Sequence, residues 1–193
     1  LIGSLPTVQL AAHQVALNVV SYTFMMALGL SSAAAVRVGQ AIGRNDADGA
    51  RRAGWTAISL GATFMGLAGI VFLTNRHLIS RVFTSDTDVI DLAGTLMIAG
   101  AAFQLFDGTQ AVATGALRGL ADTTTPMITH LVGYWFFGLP IGYWLCFQRN
   151  WGAMGIWVGF CAALMMIGMV MALMWRRQSE KLRPTIPLAA SAH

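Results

Sequence analysis

The sequence predicts an all-α membrane protein, a polytopic bundle of about five transmembrane helices. Of its 193 residues, 56% are hydrophobic and only 10% are charged, whereas soluble domains carry about 25% charged residues. The mean hydropathy is +0.63. Five apolar runs are each long enough to cross a bilayer, for which about 20 residues suffice, and polar segments separate them.

The edges of the apolar runs define the predicted spans. We place these spans at about 15–36, 53–73, 92–117, 126–147 and 152–175. Residues 75–91 are too polar to lie inside the membrane and are predicted to form an interfacial connector. Residues 176–193 are basic and contain proline, so they are expected to form a disordered tail. The five spans, within residues 1–175, would then make up one transmembrane domain.

Several polar residues and prolines mark where the predicted helices begin or bend. Asp46 suits an N-cap before the second span, and Ser85 or Asp86 suits one before the third. Pro126 fits the first turn of the fourth span, where its missing N–H is tolerated. Pro140 lies inside that span and removes a backbone donor, which predicts a kink.

The basic residues predict the orientation of the bundle. Nine of the twelve Lys and Arg residues fall in the first loop, the third loop and the tail, and three fall in the other two loops. We predict a multi-pass protein of the cell (inner) membrane, and the positive-inside rule makes its basic side, and with it the C-terminus, cytoplasmic. The pI near 9.7 does not indicate nucleic-acid binding, because the basic residues sit at the ends of apolar runs.

The third span carries one acid near its middle, Asp107. Inserting a central Asp costs about 2.5–3.5 kcal/mol. Gln104 and Gln110 lie three residues to either side, with Thr114 and Arg118 seven and eleven residues on, so one helix face is polar. We interpret Asp107, Gln104 and Gln110 as a cation or substrate site facing a water-filled cavity. The alternative is a protonated carboxyl bonded to a neighbouring helix.

Other polar and aromatic residues allow two interpretations. Asn18 and Tyr22 share a face of the first span, and Trp135 lies too deep for an interfacial belt. They could line a cavity, together with Thr114, or they could bond and pack between helices. Arg118 and Asp122 are expected to hold the loop between the third and fourth spans. Asp122 suits an N-cap for the fourth span.

The sequence contains none of the common catalytic motifs. It has no G-x-x-x-x-G-K-[ST], no H-E-x-x-H and no G-x-S-x-G. His13, His77, His130 and His193 are scattered and are predicted to be ordinary interfacial side chains. We therefore predict a protein that is not an enzyme and that needs no organic cofactor.

Two stretches resemble the multidrug and toxic compound extrusion (MATE) family. LAAHQVALNVVSYTFMMALGLSSAAAVRVGQAIGR, followed by ADGARRAGW, is similar to that family's eighth helix and the loop after it. FQLFDGTQAVATGALRGLADTTTPM is similar to its tenth helix and the next loop. The resemblance implies that this chain forms most of the C-terminal six-helix lobe of a twelve-helix antiporter. The partner lobe would be the N-terminal half of the same protein.

The resemblance also implies a function. It predicts export of organic, often cationic, drugs and toxins by alternating access, driven by Na⁺ or H⁺. Asp107 is the position that matches the family's cation-binding acid in the tenth helix, and it would ligate Na⁺ if sodium is the coupling ion. Two other functions stay open from the residues: a flippase of lipid-linked sugars from the same superfamily, and a non-transporting membrane assembly subunit.

Overall fold

The computed structural model describes residues 6–182, which fold into five long helices without a β-strand. Three helices come first along the chain, and they are α1 (Thr7–Gly43), α2 (Ala47–Phe83) and α3 (Thr87–Gly119). The fourth, α4, covers residues 124–148, and the fifth, α5, is Ala153–Lys181. α1, α2, α3 and α5 are each long and apolar enough to span a membrane. The predicted all-α membrane bundle is confirmed.

Aspartate side chains determine where three of the helices begin. Asp46 accepts a 2.7 Å hydrogen bond from the backbone N–H of Gly49 at the start of α2. Asp86 accepts two from the first turn of α3, the shorter at 3.0 Å. Asp122 accepts one of 2.9 Å from Thr125 at the start of α4. Each carboxylate pairs with amides that have no partner within the helix and lies at the positive end of the helix dipole.

All five helices extend beyond their predicted spans at one or both ends, and α1 covers Thr7–Gly43 where 15–36 was predicted. α2 runs to Phe83, and only Asn75 has non-helical backbone angles (φ −118°, ψ 15°), so most of the predicted connector is helix beyond a kink. α5 runs to Lys181, so Arg176 to Lys181 are helical rather than part of a disordered tail. A 3.0 Å ion pair between Arg176 and Glu180 supports that last turn. Residues 183–193 of the predicted tail lie outside the described residues.

α4 changes its helical register instead of running as one regular helix. Its pieces are the α-helical Thr124–Val132 and Leu139–Tyr143 and the π-helical Gly133–Gly138 and Trp144–Gln148. Pro140 lies two residues after the end of the first π segment. Because Pro140 offers no N–H to the preceding turn, the wider π turn avoids a hydrogen bond that the residue cannot make. The predicted kink therefore takes the form of a π-helical segment before Pro140.

α3 is the centre of the lobe and packs against α1, α2 and α5. Glycines allow two of the closest helix contacts. A Cβ on Gly115 would lie 2.1 Å from the carbonyl oxygen of Ser31 in α1. A Cβ on Gly159 in α5 would lie 2.5 Å from the Cα of Gly142 in α4. Such contacts hold helices together in a membrane, where no hydrophobic force acts between them.

Polar contacts close both ends of the lobe. At one end, the Arg51 guanidinium donates to the Ser179 carbonyl oxygen at 2.9 Å, and Gln178 donates to Asp122. This end therefore joins the first loop, the third loop and the end of α5, the segments that carry most of the basic residues. At the other end, the Trp157 indole N–H donates to Nδ1 of His13 at 3.0 Å.

Candidate cation and substrate site

The polar stripe predicted on α3 lies inside the lobe. Asp107 is only 7% exposed, and Gln104, Gln110 and Thr114 are buried beside it on the same face. Their spacing of three, three and four residues brings them onto successive turns of one helix. The helices that pack against α3 therefore shield these polar groups from the lipid.

Two cavities border this stripe. Asp107 lines one of about 320 Å³, together with His13 of α1 and Trp157 of α5. Gln110 and Thr114 line a second, of about 740 Å³, which Arg118 also borders. Tyr134 of α4 lines both cavities. The carboxyl group of Asp107 therefore faces a cavity and does not point into lipid.

A chain of hydrogen bonds links Asp107 to α4. The Gln110 side-chain amide donates to Oδ1 of Asp107 at 3.1 Å. Its oxygen lies 2.5 Å from Nε2 of His130. The other ring nitrogen of His130, Nδ1, lies 2.6 Å from the carbonyl oxygen of Pro126. Because a carbonyl oxygen only accepts, Nδ1 must carry a proton and donate in this last bond.

The Gln110 amide couples the charge states of Asp107 and His130. With the amide as placed, its oxygen accepts from a protonated Nε2 and its NH₂ donates to an ionised Asp107. With a neutral imidazole, both bonds persist only if the amide turns over, so that Asp107 is protonated and donates to the amide oxygen. Either arrangement holds one proton between the two side chains. Reversal of the Gln110 amide therefore exchanges donor and acceptor at both ends of the amide without losing a hydrogen bond.

Two buried oxygens on the same face of α3 as Asp107 have no hydrogen-bond partner within residues 6–182. They are Oε1 of Gln104 and Oγ1 of Thr114. The other end of the Gln104 amide donates to the hydroxyl of Thr23 in α1. Buried polar atoms are nearly always satisfied in folded proteins, so the unpartnered Oε1 of Gln104, about one helical turn before Asp107, indicates a position for an ion or a water molecule.

The remaining predicted lining residues occupy different surroundings. Trp135 is 64% exposed and borders the second cavity. Asn18 and Tyr22 are exposed on a face of α1 that borders neither of the two cavities, and Tyr22 is 72% exposed. A role for Asn18 and Tyr22 in lining a cavity stays a prediction.

Among side chains, Asp122 and not Arg118 holds the loop between α3 and α4. The Arg118 side chain is exposed and makes no hydrogen bond or ion pair among the described residues, whereas its backbone carbonyl oxygen accepts from the N–H of Ala121 at 2.9 Å. Asp122 bonds to both Thr125 and Gln178. Burial raises the pKa of Asp122, but these hydrogen bonds outweigh it and leave the pKa below its ordinary value.

Sequence reasoning missed His130. It was interpreted as an ordinary interfacial residue, yet it contacts the site through Gln110. Its ring also lies 6.1 Å from that of Tyr134, centroid to centroid. Pro126, His130 and Tyr134 are spaced four residues apart, which places them on one helix face and is the signal that could have found them. In the described part of the chain, no group of three or more His, Cys, Asp or Glu side chains is placed to hold a metal ion.

Comparison with known proteins identifies the family. A profile described as MatE matches residues 1–144, about three quarters of the chain. The chain belongs to the MatE family. It is 43% identical over 182 residues to a "Probable multidrug resistance protein NorM" from Brucella suis, a match that covers 92% of this chain and 39% of the relative. A "Multidrug resistance protein NorM" from Burkholderia vietnamiensis is 44% identical over 180 residues, 91% of this chain and 38% of the relative.

Solved structures agree with the MatE assignment. The crystal structure of the eukaryotic MATE transporter AtDTX14 superposes with a TM-score of 0.85 at 24% identity, covering 94% of this chain and 42% of that protein. An inward-facing MATE family transporter of the MOP superfamily superposes with a TM-score of 0.75 at 17% identity, covering 88% of this chain and 39% of that protein. The chain therefore has the fold of part of a MATE transporter and is a multi-pass membrane protein. It spans about two fifths of the length of its curated relatives.

Proposed function

We propose that the complete protein exports organic, often cationic, drugs in exchange for Na⁺ or H⁺, and that Asp107 is the residue that binds the coupling ion. The buried carboxyl group of Asp107 on a cavity wall is the observation that carries this proposal. The NorM relatives, whose names say multidrug resistance, support the substrate class.

Either coupling ion fits the side chains around Asp107. Sodium ions prefer oxygen ligands, which the Asp107 carboxylate and the unpartnered Oε1 of Gln104 supply. A proton would sit on the carboxyl group itself. In either case Asp107 alternates between an ion-bound state and a charged state that accepts drug. The ion drives transport only because it binds the outward- and inward-facing states with different affinity.

The larger cavity suits the drug. Its volume of about 740 Å³ lies in the range of about 300–1,000 Å³ that is typical of sites for drug-sized ligands. Tyr134 and Trp135 border this cavity and provide aromatic faces, which attract organic cations. Gln110 borders this cavity as well and bonds to Asp107. A drug bound in the cavity can therefore change the affinity of Asp107 for the ion.

The proposed orientation places the basic end of the lobe in the cytoplasm of a cell with an inner membrane. The first loop, the third loop and the end of α5 meet at that end. Their Lys and Arg residues fit the positive-inside rule. A tag attached after residue 193 should resist protease added to intact cells and become sensitive once the membrane is opened. Cleavage in intact cells would contradict this orientation.

Reconstitution of the complete protein tests the proposed role of Asp107. Vesicles with an imposed Na⁺ or H⁺ gradient should export a cationic dye, and one of the two gradients should drive most of it. Asp107→Asn should insert and fold but lose the gradient-dependent export. Asp91→Asn is the matched control, because Asp91 is an exposed acid whose closest basic group is His77 at 3.6 Å.

Unchanged, gradient-dependent export by Asp107→Asn would overturn the role of Asp107. The same vesicles distinguish the other functions. A flippase would move lipid-linked sugars and not dye, and it would need cationic groups around its substrate's pyrophosphate, whereas the buried charge here is acidic. An assembly subunit would transport neither.

A further inference from the structure

A groove runs between α1 and α2 near their connecting loop, on a surface of the lobe away from Asp107. Its volume is about 420 Å³. Ala33 and Ala34 of α1 and Ala53 and Ala57 of α2 form its floor. These alanines recur at spacings of one and four residues, so each helix presents its small side chains to the other. The methyl groups are too short to fill the space between the helices, and an open apolar slot remains.

Two arginines flank the loop end of this groove. Arg37 of α1 and Arg52 of α2 both line it, and both are exposed. Arg37 lies six residues before the end of α1, and Arg52 lies five residues after the start of α2. At about 1.5 Å of rise per residue, both lie roughly 8–9 Å from the ends of their helices. The two guanidinium groups are therefore at similar depth.

Neither arginine is neutralised by the described part of the chain. The side chains of Arg37 and Arg52 make no hydrogen bond or ion pair there. Asp48 lies one turn before Arg52 but makes no ion pair with it. Arg51, the neighbour of Arg52, differs, because its guanidinium donates to the Ser179 carbonyl. The groove therefore presents two positive charges without acidic partners.

The depth of the groove matches the edge of the membrane. Arg37 directly follows the apolar run 15–36, and Arg52 directly precedes the run 53–73. The arginines thus mark the boundary between headgroups and hydrocarbon, while the alanine floor lies on the hydrocarbon side. Leu30 and Leu60 line the groove at its deeper end.

We propose that the α1–α2 groove binds one anionic phospholipid. The lipid phosphate would lie between Arg37 and Arg52, and an acyl chain would follow the alanine floor toward Leu30 and Leu60. Charge complementarity and depth both favour this ligand: a phosphate meets two free guanidinium groups, and a hydrocarbon chain meets an apolar slot inside the membrane. This site is independent of the proposed drug export.

Lipid retention by the complete protein tests the proposal. The protein is purified in detergent, titrated with phosphatidylglycerol or phosphatidylcholine, and analysed by native mass spectrometry. Wild type should retain one phosphatidylglycerol in preference to phosphatidylcholine. Arg37→Gln/Arg52→Gln should weaken that retention on the order of 10- to 30-fold, since each basic residue near the membrane surface contributes roughly a fivefold step.

A matched double variant controls for net charge. Arg44→Gln/Arg177→Gln removes two exposed arginines from the same end of the lobe but outside the groove. It should change lipid retention less than about twofold. Equal losses in the two double variants would show a general attraction to basic surface and overturn the site. A wild type that shows no preference for phosphatidylglycerol would also overturn the site. This result would follow if another part of the protein covered the groove.

A third variant separates a lipid from a free phosphate ion. Ala33 is exposed, so Ala33→Leu fills the floor without entering the core and leaves both arginines in place. It should weaken phosphatidylglycerol retention. Inorganic phosphate at millimolar concentration should displace little lipid from the wild type. Full retention by Ala33→Leu together with displacement by phosphate would show an anion site without an acyl slot and contradict the lipid proposal.

Discussion

α3 and α4 both contribute to the candidate site, but they differ in how they are held. Of the 33 residues of α3, 19 are buried, and the helix is regular throughout. Only five residues of α4 are buried, and they are Pro126, Gly133, Gly138, Gly142 and Cys146. α4 also contains two π-helical segments.

The two helices therefore contribute to the site in different ways. α3 holds Asp107 and Gln110 in place between three neighbouring helices. α4 brings His130 and Tyr134 to the site from a helix with few buried contacts and a register that is already irregular. π segments are frequent at functional sites, where helices change shape. The site therefore combines a charged side chain on a buried, regular helix with side chains on a less buried helix of irregular register.

A substitution that forces α3 away from α1 should have the largest effect on stability. Gly115→Val adds a side chain at a position where even a Cβ would lie 2.1 Å from the backbone carbonyl oxygen of Ser31. Overpacking of this kind costs about 1–3 kcal/mol, or more where only backbone atoms can yield. We expect a clear loss of thermal stability, measured on the complete protein in detergent.

Two controls sharpen that test. Gly43→Val changes a glycine whose added Cβ would meet nothing within 4 Å. Phe136→Ala changes a side chain of α4 that is 72% exposed. Both should alter stability by less than about 0.5 kcal/mol in detergent. If Gly115→Val were as harmless as these controls, α3 would not be the rigid element of the lobe.

Loss of the α4 contact should affect transport more than stability. His130→Ala removes the partner of the Gln110 oxygen and leaves that amide held only by Asp107. A lost buried hydrogen bond is worth about 1–3 kcal/mol, so ion-driven export should fall roughly tenfold or more. The pH profile of export should shift as well, since the amide that bonds to Asp107 would lose its partner on α4.

His77→Ala is the matched control for His130, because His77 is an exposed histidine on α2 near Asp91. Its export rate and pH profile should match those of the wild type. Gradient-driven export in vesicles over a series of pH values compares the two variants. Identical profiles for His130→Ala and the wild type would remove His130 from the site.

The N-cap of α4 should produce the smallest effect. Asp122→Ala removes an N-cap, which is typically worth about 1 kcal/mol. Because the folded-state pKa of Asp122 is lowered, its stabilisation is complete above the unfolded value of about 3.9 and is lost as pH falls through the lower folded value. The difference in unfolding free energy between wild type and Asp122→Ala should stay constant from about pH 5 to 8 and shrink below about pH 4. A difference that grows toward acid pH would contradict this.

The fold could be predicted from the sequence, but the helix ends could not. Hydropathy reports where a helix leaves the hydrocarbon, whereas the helix itself continues until its backbone hydrogen bonds end. α2 therefore continues past Asn75 as a polar helix, and α5 continues through Arg176 to Lys181. The caps at Asp46 and Asp86 were predictable because an N-cap depends on local residue type.

The site could be predicted only where it lies on one helix. Asp107, Gln104 and Gln110 follow from the spacing of polar residues along α3. The contact between Gln110 and His130 joins residues 20 positions apart on different helices, and no periodicity reports it. Arg118 shows the converse: it was expected to help hold the loop, but its side chain makes no hydrogen bond or ion pair among the described residues.

Ion release on drug binding tests the role of Asp107 most directly. The complete protein is held in weakly buffered detergent solution, and a cationic drug is added while free H⁺ and Na⁺ are recorded. Wild type should release its coupling ion as the drug binds, and Asp107→Asn should bind drug without releasing any. Equal ion release by wild type and Asp107→Asn would show that the exchanged ion is held elsewhere.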